Sequence, residues 1–186
     1  MSRFTHVVEK FLTPEECQGF IKFSEERGYK ESLIRTKNGE EMNKDIRDND
    51  RVIWDNKQFA DQLWELVKDM MPADIEGYEP LGLNERFRFY RYKDGQQFKP
   101  HIDAPFKRSE TEKSKITLLL YLNENFTGGA TTLILEGKDN VPKEGMLFLF
   151  EHKIMHCGRP VTKGVKYVLR TDVMYKLKET KDETSI

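Results

Sequence analysis

Cysteine is scarce: Cys17 and Cys157 are the only two in 186 residues. They are too few and too far apart for a disulfide framework, so a reducing compartment is expected. No stretch approaches the ~18 consecutive apolar residues of a membrane span. The first ten residues lack the charged start, apolar run and small-residue cleavage site of a signal peptide, and the reading is a cytoplasmic chain. An excess of either charge is also missing. Thirty-one Lys and Arg stand against 32 Asp and Glu, a formal net charge of -1, so no summed field draws the chain onto nucleic acid or an anionic membrane. Internal repeats and low-complexity tracts are absent. What remains is 37% apolar and 11% aromatic residues, enough for one core in a chain whose length suits one domain.

The pattern changes near residue 84, with helical signals before it and strand signals after. Thr13-Pro14-Glu15-Glu16 combines an N-cap Thr, a Pro at the first helical position and a Glu three residues after the cap. With Cys17, Phe20, Ile21 and Phe23 as an apolar face, it predicts a helix over 14–27. A second helix is expected after Asp55 or Asn56, with Phe59, Leu63, Leu66, Val67 and Met70 at helical spacing until Pro72. Strands are read at about 85–93, 98–103, 115–122, 130–135, 146–150 and 166–176, broken by Asp94-Gly95, Gly128-Gly129, Gly145 and Lys163-Gly164. Short strands behind helices predict an α+β fold, a sandwich or jelly roll with helices on one side. Residues 1–84 would then be helical support and a substrate loop, 85–176 the jelly-roll core, and 177–186 a solvated tail. The polar stretch 36–51 is too long for an idle connection.

Only four histidines occur, so their placement carries weight. In Phe98-Lys99-Pro100-His101-Ile102-Asp103, the His and Asp stand two apart on an expected strand and leave the same face. A later histidine would complete a set of two His and one carboxylate, which occupies one face of an octahedral ion and leaves three positions open. His156 is placed to do so, and His152 is its rival. A bare His-x-Asp is a weak signal and on its own reads as a surface hydrogen bond. Tyr90 and Tyr92 share one strand face, where aromatics are more often core than pocket. His6 reads as surface.

The ordered series is more specific. Tyr92, His101-x-Asp103, Tyr121-Leu122-Asn123, Gly128-Gly129-x-Thr131, His156, Pro160-Val161 and Gly164-x-Lys166 resembles the prolyl 4-hydroxylase-type branch of the iron(II) and 2-oxoglutarate-dependent oxygenases over about residues 85–175. The resemblance implies a double-stranded β-helix in which His101, Asp103 and His156 hold Fe(II), with 2-oxoglutarate and O2 as cosubstrates. It implies that Lys166, ten residues after His156, pairs with the far carboxylate of 2-oxoglutarate, and that Tyr121 and Tyr92 line that pocket.

A buried dicarboxylate needs a cation at its far end, because an unpaired buried charge is costly. Lys166 supplies one as a point charge. Arg170, four residues further on the same strand, faces the same way and is the alternative clamp, with two-pronged geometry. The expected reaction is hydroxylation of an unactivated C–H bond of a prolyl residue, free amino acid or other small molecule, giving succinate and CO2. Residues 36–51 and 104–115 are candidate flaps, and Arg47, Arg51 or Arg159 a candidate anchor for a substrate carboxylate. Two other readings stay open: a cupin-like metalloenzyme that does not use 2-oxoglutarate, and a jelly-roll binding module without activity.

Overall fold

The computed structural model describes residues 3–32, 34–36, 39–41 and 43–179. In chain order the elements are β1 (Thr5–Val8), α1 (Pro14–Arg27), β2 (Lys30–Glu31), β3 (Ile34–Thr36), β4 (Gly39–Glu41), β5 (Asp50–Asp55) and α2 (Lys57–Val67). A 3-10 turn (Lys68–Met70) follows, then β6 (Tyr78–Leu83), β7 (Arg86–Tyr92), β8 (Phe98–His101), β9 (Glu112–Tyr121), β10 (Thr127–Gly128) and β11 (Thr131–Leu133). The chain continues through β12 (Lys138–Asn140), β13 (Leu147–Glu151), β14 (His156–Gly158), β15 (Val161–Lys163) and β16 (Lys166–Leu177).

Both helices start where side chains satisfy their free amides. Thr13 Oγ1 accepts from the Glu16 amide at 3.2 Å while Glu16 accepts from the Thr13 amide at 2.8 Å, the reciprocal pair expected of this motif. Asn56 Oδ1 does the same for the Phe59 amide at 2.9 Å.

Two antiparallel sheets form the jelly roll. The larger runs β1-β13-β9-β16-β7-β5-β2, with β6 paired to the far half of β16. The smaller runs β12-β11-β14-β8. Because side chains alternate across a strand, the central strands of the large sheet carry two apolar faces. Ile116, Leu118 and Leu120 of β9 join Phe87 and Phe89 of β7 beneath the helices. Leu119 and Tyr121 join Tyr90, Tyr92, Val168 and Phe148 in the space between the sheets. Phe20 and Phe23 of α1 meet Phe89, and Phe59 of α2 meets Phe87 and Trp54. The helices therefore cover the outer face of the large sheet and leave its inner face to the site.

Several expectations change. Strands β1, β5 and β6 precede residue 84 and pair into the large sheet. β5 mixes charged residues with apolar ones and β6 contains Glu, Pro and Gly, so for these two the partner strand rather than their own pattern specifies them. The 36–51 stretch is not one loop. It begins in the β3–β4 hairpin and ends in β5, while positions 37, 38 and 42 lie outside the described residues, as does the tail from 180 onward. The expected strand 98–103 stops at His101, and β9 starts at Glu112, which shortens the candidate flap to 104–111.

Phe87 is fully buried, with ring centroids 4.9 Å from Phe59 and 5.6 Å from Trp54. Phe87→Ala should destabilise the fold by about 3–5 kcal/mol in a urea titration. A loss under ~1 kcal/mol would mean that the helices are not seated on this sheet as described.

Candidate active site

The register of the small sheet sets the site. β14 pairs with β8 so that His156 is the cross-strand partner of His101, their ring centroids 4.3 Å apart. His156 falls outside every strand read from the sequence, yet it stands on β14. Asp103 lies just past β8, where its amide donates to the His152 carbonyl at 3.0 Å. His101 Nε2 is 3.7 Å from Asp103 Oδ1, and His156 Nε2 is 3.7 Å from Asp103 Oδ2. One ligand atom from each of the three lies within 4.8 Å of the others.

Hydrogen bonds fix the tautomers. His101 Nδ1 is 2.7 Å from the Lys99 carbonyl and His156 Nδ1 is 2.9 Å from the Ile154 carbonyl. A carbonyl only accepts, so each Nδ1 carries the proton and each Nε2 keeps a bare lone pair. His101 Nε2 is buried without a hydrogen-bond partner, and the Phe98 ring stacks on the His101 imidazole at 3.5 Å between centroids, holding it in place. Burial pushes His156 down to about 4, against the pull of Asp103, so its imidazole is neutral near pH 7. Burial alone would raise the Asp103 carboxyl. The Arg170 guanidinium, 2.9 Å from Oδ1, holds that carboxyl well below the usual carboxylate range. Two imidazoles that turn Nε2 inward and an ionised carboxylate converging on one point form a donor set that suits Fe(II).

The rival ligand is already engaged. His152 Nδ1 is 2.9 Å from Thr117 Oγ1 and His152 Nε2 is 2.8 Å from Ser114 Oγ, so neither nitrogen is free.

From the triad, a cavity of about 50 Å³ extends between the sheets to Tyr92, Tyr121 and Lys166. That exceeds the ~10–15 Å³ a single water needs. Lys166 is buried, and its ammonium donates to the Gly129 carbonyl at 2.6 Å and lies 5.4 Å and 5.3 Å from the Tyr92 and Tyr121 ring centroids. No carboxylate pairs with it among the described residues, and burial pushes it down to about 7. Gly129 makes the close approach possible. Its φ is +66°, and a Cβ there would fall 2.9 Å from the Phe126 ring and 3.2 Å from Lys166 Cδ. Tyr121 Oη is 2.6 Å from Thr131 Oγ1, tying the two sheets together. Burial raises the Tyr92 hydroxyl to about 12.

Arg170 also faces the cavity, but its guanidinium is shared between Asp103 Oδ1 and Asp172 Oδ1, at 2.9 and 3.2 Å. Of the candidate substrate anchors, Arg47 is buried with its guanidinium over the Tyr90 and Phe98 rings. Arg159 is exposed, donating to Thr132 Oγ1, and Arg51 is half-buried on β5. The sequence reading missed Thr117, although a lone Thr in the apolar run Ile116-Thr117-Leu118-Leu119-Leu120, at an inward position, is the one signal that pointed to it.

A charged ammonium in this pocket costs on the order of 5 kcal/mol relative to water. The unfolded chain keeps its proton up to the ordinary 10.5, and the folded chain releases it near 7. The penalty is therefore full below pH 7 and fades as pH rises toward 10.5. Lys166→Met should raise the melting temperature of the metal-free, cosubstrate-free protein by several degrees near pH ~6, with the gap from wild type closing toward pH ~10. A gap that does not change with pH would show that Lys166 is not burying a charge.

The comparisons agree with this geometry. The family model of the 2OG-Fe(II) oxygenase superfamily matches residues 87–171. Prolyl 4-hydroxylase 1 of Arabidopsis thaliana is 23% identical over 162 residues, covering 86% of this chain and 52% of that protein. The chain thus spans about half the length of that relative. A Pseudomonas putida prolyl-4-hydroxylase structure superposes with a TM-score of 0.69 at 18% identity, over 92% of this chain and 93% of that one. A Trichoplax adhaerens prolyl hydroxylase in complex with a hypoxia inducible factor oxygen degradation domain peptide fragment gives 0.72 at 16% identity, over 98% and 87%. These structures share the jelly-roll fold. The match covers a little under half of the chain and includes His101, Asp103, His156 and Lys166, so over that segment the chain is similar to the 2OG-Fe(II) oxygenase superfamily.

Proposed function

We propose that this chain hydroxylates an unactivated C–H bond of a prolyl ring, carried by a peptide or a free amino acid, and turns 2-oxoglutarate and O2 into succinate and CO2. One observation carries the reading: two imidazole nitrogens and an ionised carboxylate meet at one end of a cavity whose other end holds a buried lysine with no carboxylate beside it among the described residues. His101, Asp103 and His156 would hold Fe(II). When bound, the iron with 2-oxoglutarate supplies the oxidising power to break a C–H bond, chemistry that no protein side chain offers.

The rest belongs to this chain. Lys166 binds the distal carboxylate of 2-oxoglutarate and recovers there the counter-charge it lacks. The Tyr92 and Tyr121 rings form the walls beside it and exclude water, which strengthens that pairing. Arg170 keeps Asp103 ionised, and the Lys99 and Ile154 carbonyls keep both imidazoles in the binding tautomer. Arg47, against Tyr90 and Phe98, is the candidate anchor for a substrate carbonyl or carboxylate. The names of the relatives favour a prolyl substrate.

Anaerobic addition of Fe(II) and 2-oxoglutarate should give a weak visible charge-transfer band, and oxygen should then yield succinate. His101→Ala should remove the band. Lys166→Ala should raise the KM for 2-oxoglutarate by at least ~10-fold, the loss of one charge-assisted pair. If Arg170→Ala raises that KM and Lys166→Ala leaves it unchanged, the clamp is Arg170. Turnover indifferent to 2-oxoglutarate would favour the cupin-like alternative, and no turnover at all a binding module.

A further inference from the structure

Ser114, His152 and Thr117 stand outside the triad, yet they form an unbroken line of hydrogen bonds that ends on it. The Phe106 amide lies 2.8 Å from Ser114 Oγ, and Ser114 Oγ lies 2.8 Å from His152 Nε2. His152 Nδ1 lies 2.9 Å from Thr117 Oγ1, and Thr117 Oγ1 lies 2.5 Å from Asp103 Oδ2. Ser114, Thr117 and His152 are all buried, with exposures of 1%, 1% and 3%.

The two ends of the line fix every proton between them. An amide only donates and an ionised carboxylate only accepts. Ser114 therefore accepts from Phe106 and gives its own proton to His152 Nε2. Its Nε2 occupied in this way, the neutral His152 donates from Nδ1 to Thr117. Thr117, accepting on one side, has its single proton turned toward Asp103. The Asp103 carboxylate draws the threonine proton, and the imidazole, donating to the threonine oxygen from the other side, holds the hydroxyl in that direction.

The same histidine holds the backbone of Asp103. Its carbonyl accepts from the Asp103 amide at 3.0 Å, and its amide donates to the Lys115 carbonyl at 2.9 Å, anchoring it to β9. Arg170 occupies the other carboxylate oxygen at 2.9 Å. Each oxygen of Asp103 thus receives one donor from the protein and keeps lone-pair capacity on the side of the two imidazoles. A phenylalanine would fill the place of His152 without any polar group to satisfy, so packing alone does not account for an imidazole there.

We propose that Ser114, His152 and Thr117 are positioning residues for the metal-binding carboxylate, a relay that sets the rotation of Asp103. The inference rests on the ferrous reading of the triad. It concerns residues outside the set of three metal ligands.

The test uses Co(II), titrated anaerobically into the wild-type chain and its variants and followed by visible absorption. Thr117→Val is nearly isosteric and deletes only the hydroxyl, and it should weaken Co(II) binding by about 10- to 100-fold and alter the absorption envelope. Thr117→Ser, which restores the hydroxyl, should stay within about threefold of wild type. His152→Phe should resemble Thr117→Val. Should Thr117→Val fail to fold, Ser114→Ala, which cuts the line one link earlier, is read against wild type in the same way. Retention of wild-type affinity by Thr117→Val overturns the relay, as does an equal loss in Thr117→Ser, which would point to packing instead. A wild-type chain that takes up no Co(II) defeats the iron-site reading itself, and the relay with it.

Discussion

The structure turns on a buried carboxylate. Asp103 sits between two sheets, out of reach of bulk water, and an ionised group there persists only where other charges and donors compensate it. Arg170 arrives from β16, the Thr117 hydroxyl from β9, and the two imidazoles from β8 and β14. Four of the strands that border the cavity, β8, β9, β14 and β16, therefore meet at this one group. That dependence explains why a loop residue is as well fixed as those on strands: Asp103 is past the end of β8, yet its backbone is tied to His152 and both of its oxygens are occupied.

The two-faced character of the large sheet makes such a site affordable. β9 gives alternate residues to the helices and to the cavity, so Ile116, Leu118 and Leu120 build a dry core while Thr117 and Tyr121 serve the chemistry. The helices contribute nothing directly to the site. They stabilise the outer face strongly enough that the inner face can carry Lys166, Arg170, Asp103 and Asp172, none of which would be chosen for stability.

How much of this was legible beforehand follows from which forces act locally. The α1 cap was readable because a capping box is a contact among neighbours in sequence. His101 and Asp103 were readable as a pair because two-residue spacing on a strand is a direction, and the inward alternation of Lys166 and Arg170 followed from the same period. The sharing of Arg170 between Asp103 and Asp172 was not readable. It depends on the residue after β8 of the small sheet facing β16 of the large one, a fact of packing between sheets that no single segment contains. The strand character of His156 was hidden for the same reason, since three residues acquire it only from β8 and β11. Strands β5 and β6 are likewise specified by their partners. Thr117 alone carried a usable mark, a polar residue at an inward position of an otherwise apolar strand.

The charges of the cavity also argue for the kind of ligand it takes. Near the triad the protein is already balanced, because Arg170 and Arg88 face Asp103 and Asp172. A divalent ion held by Asp103 and the two imidazoles would therefore keep nearly all of its charge uncompensated by the protein. At the far end Lys166 is in the same condition, pressed down to about 7 by burial alone with no acid beside it. Two unmet positive centres at opposite ends of one narrow cavity call for a small molecule negative at both ends. A monoanion would satisfy one end and leave the other exposed to the full cost of its burial, whereas a short dicarboxylate meets both at once. The lysine that weakens the empty fold is, on this account, what makes the pocket discriminate between the two.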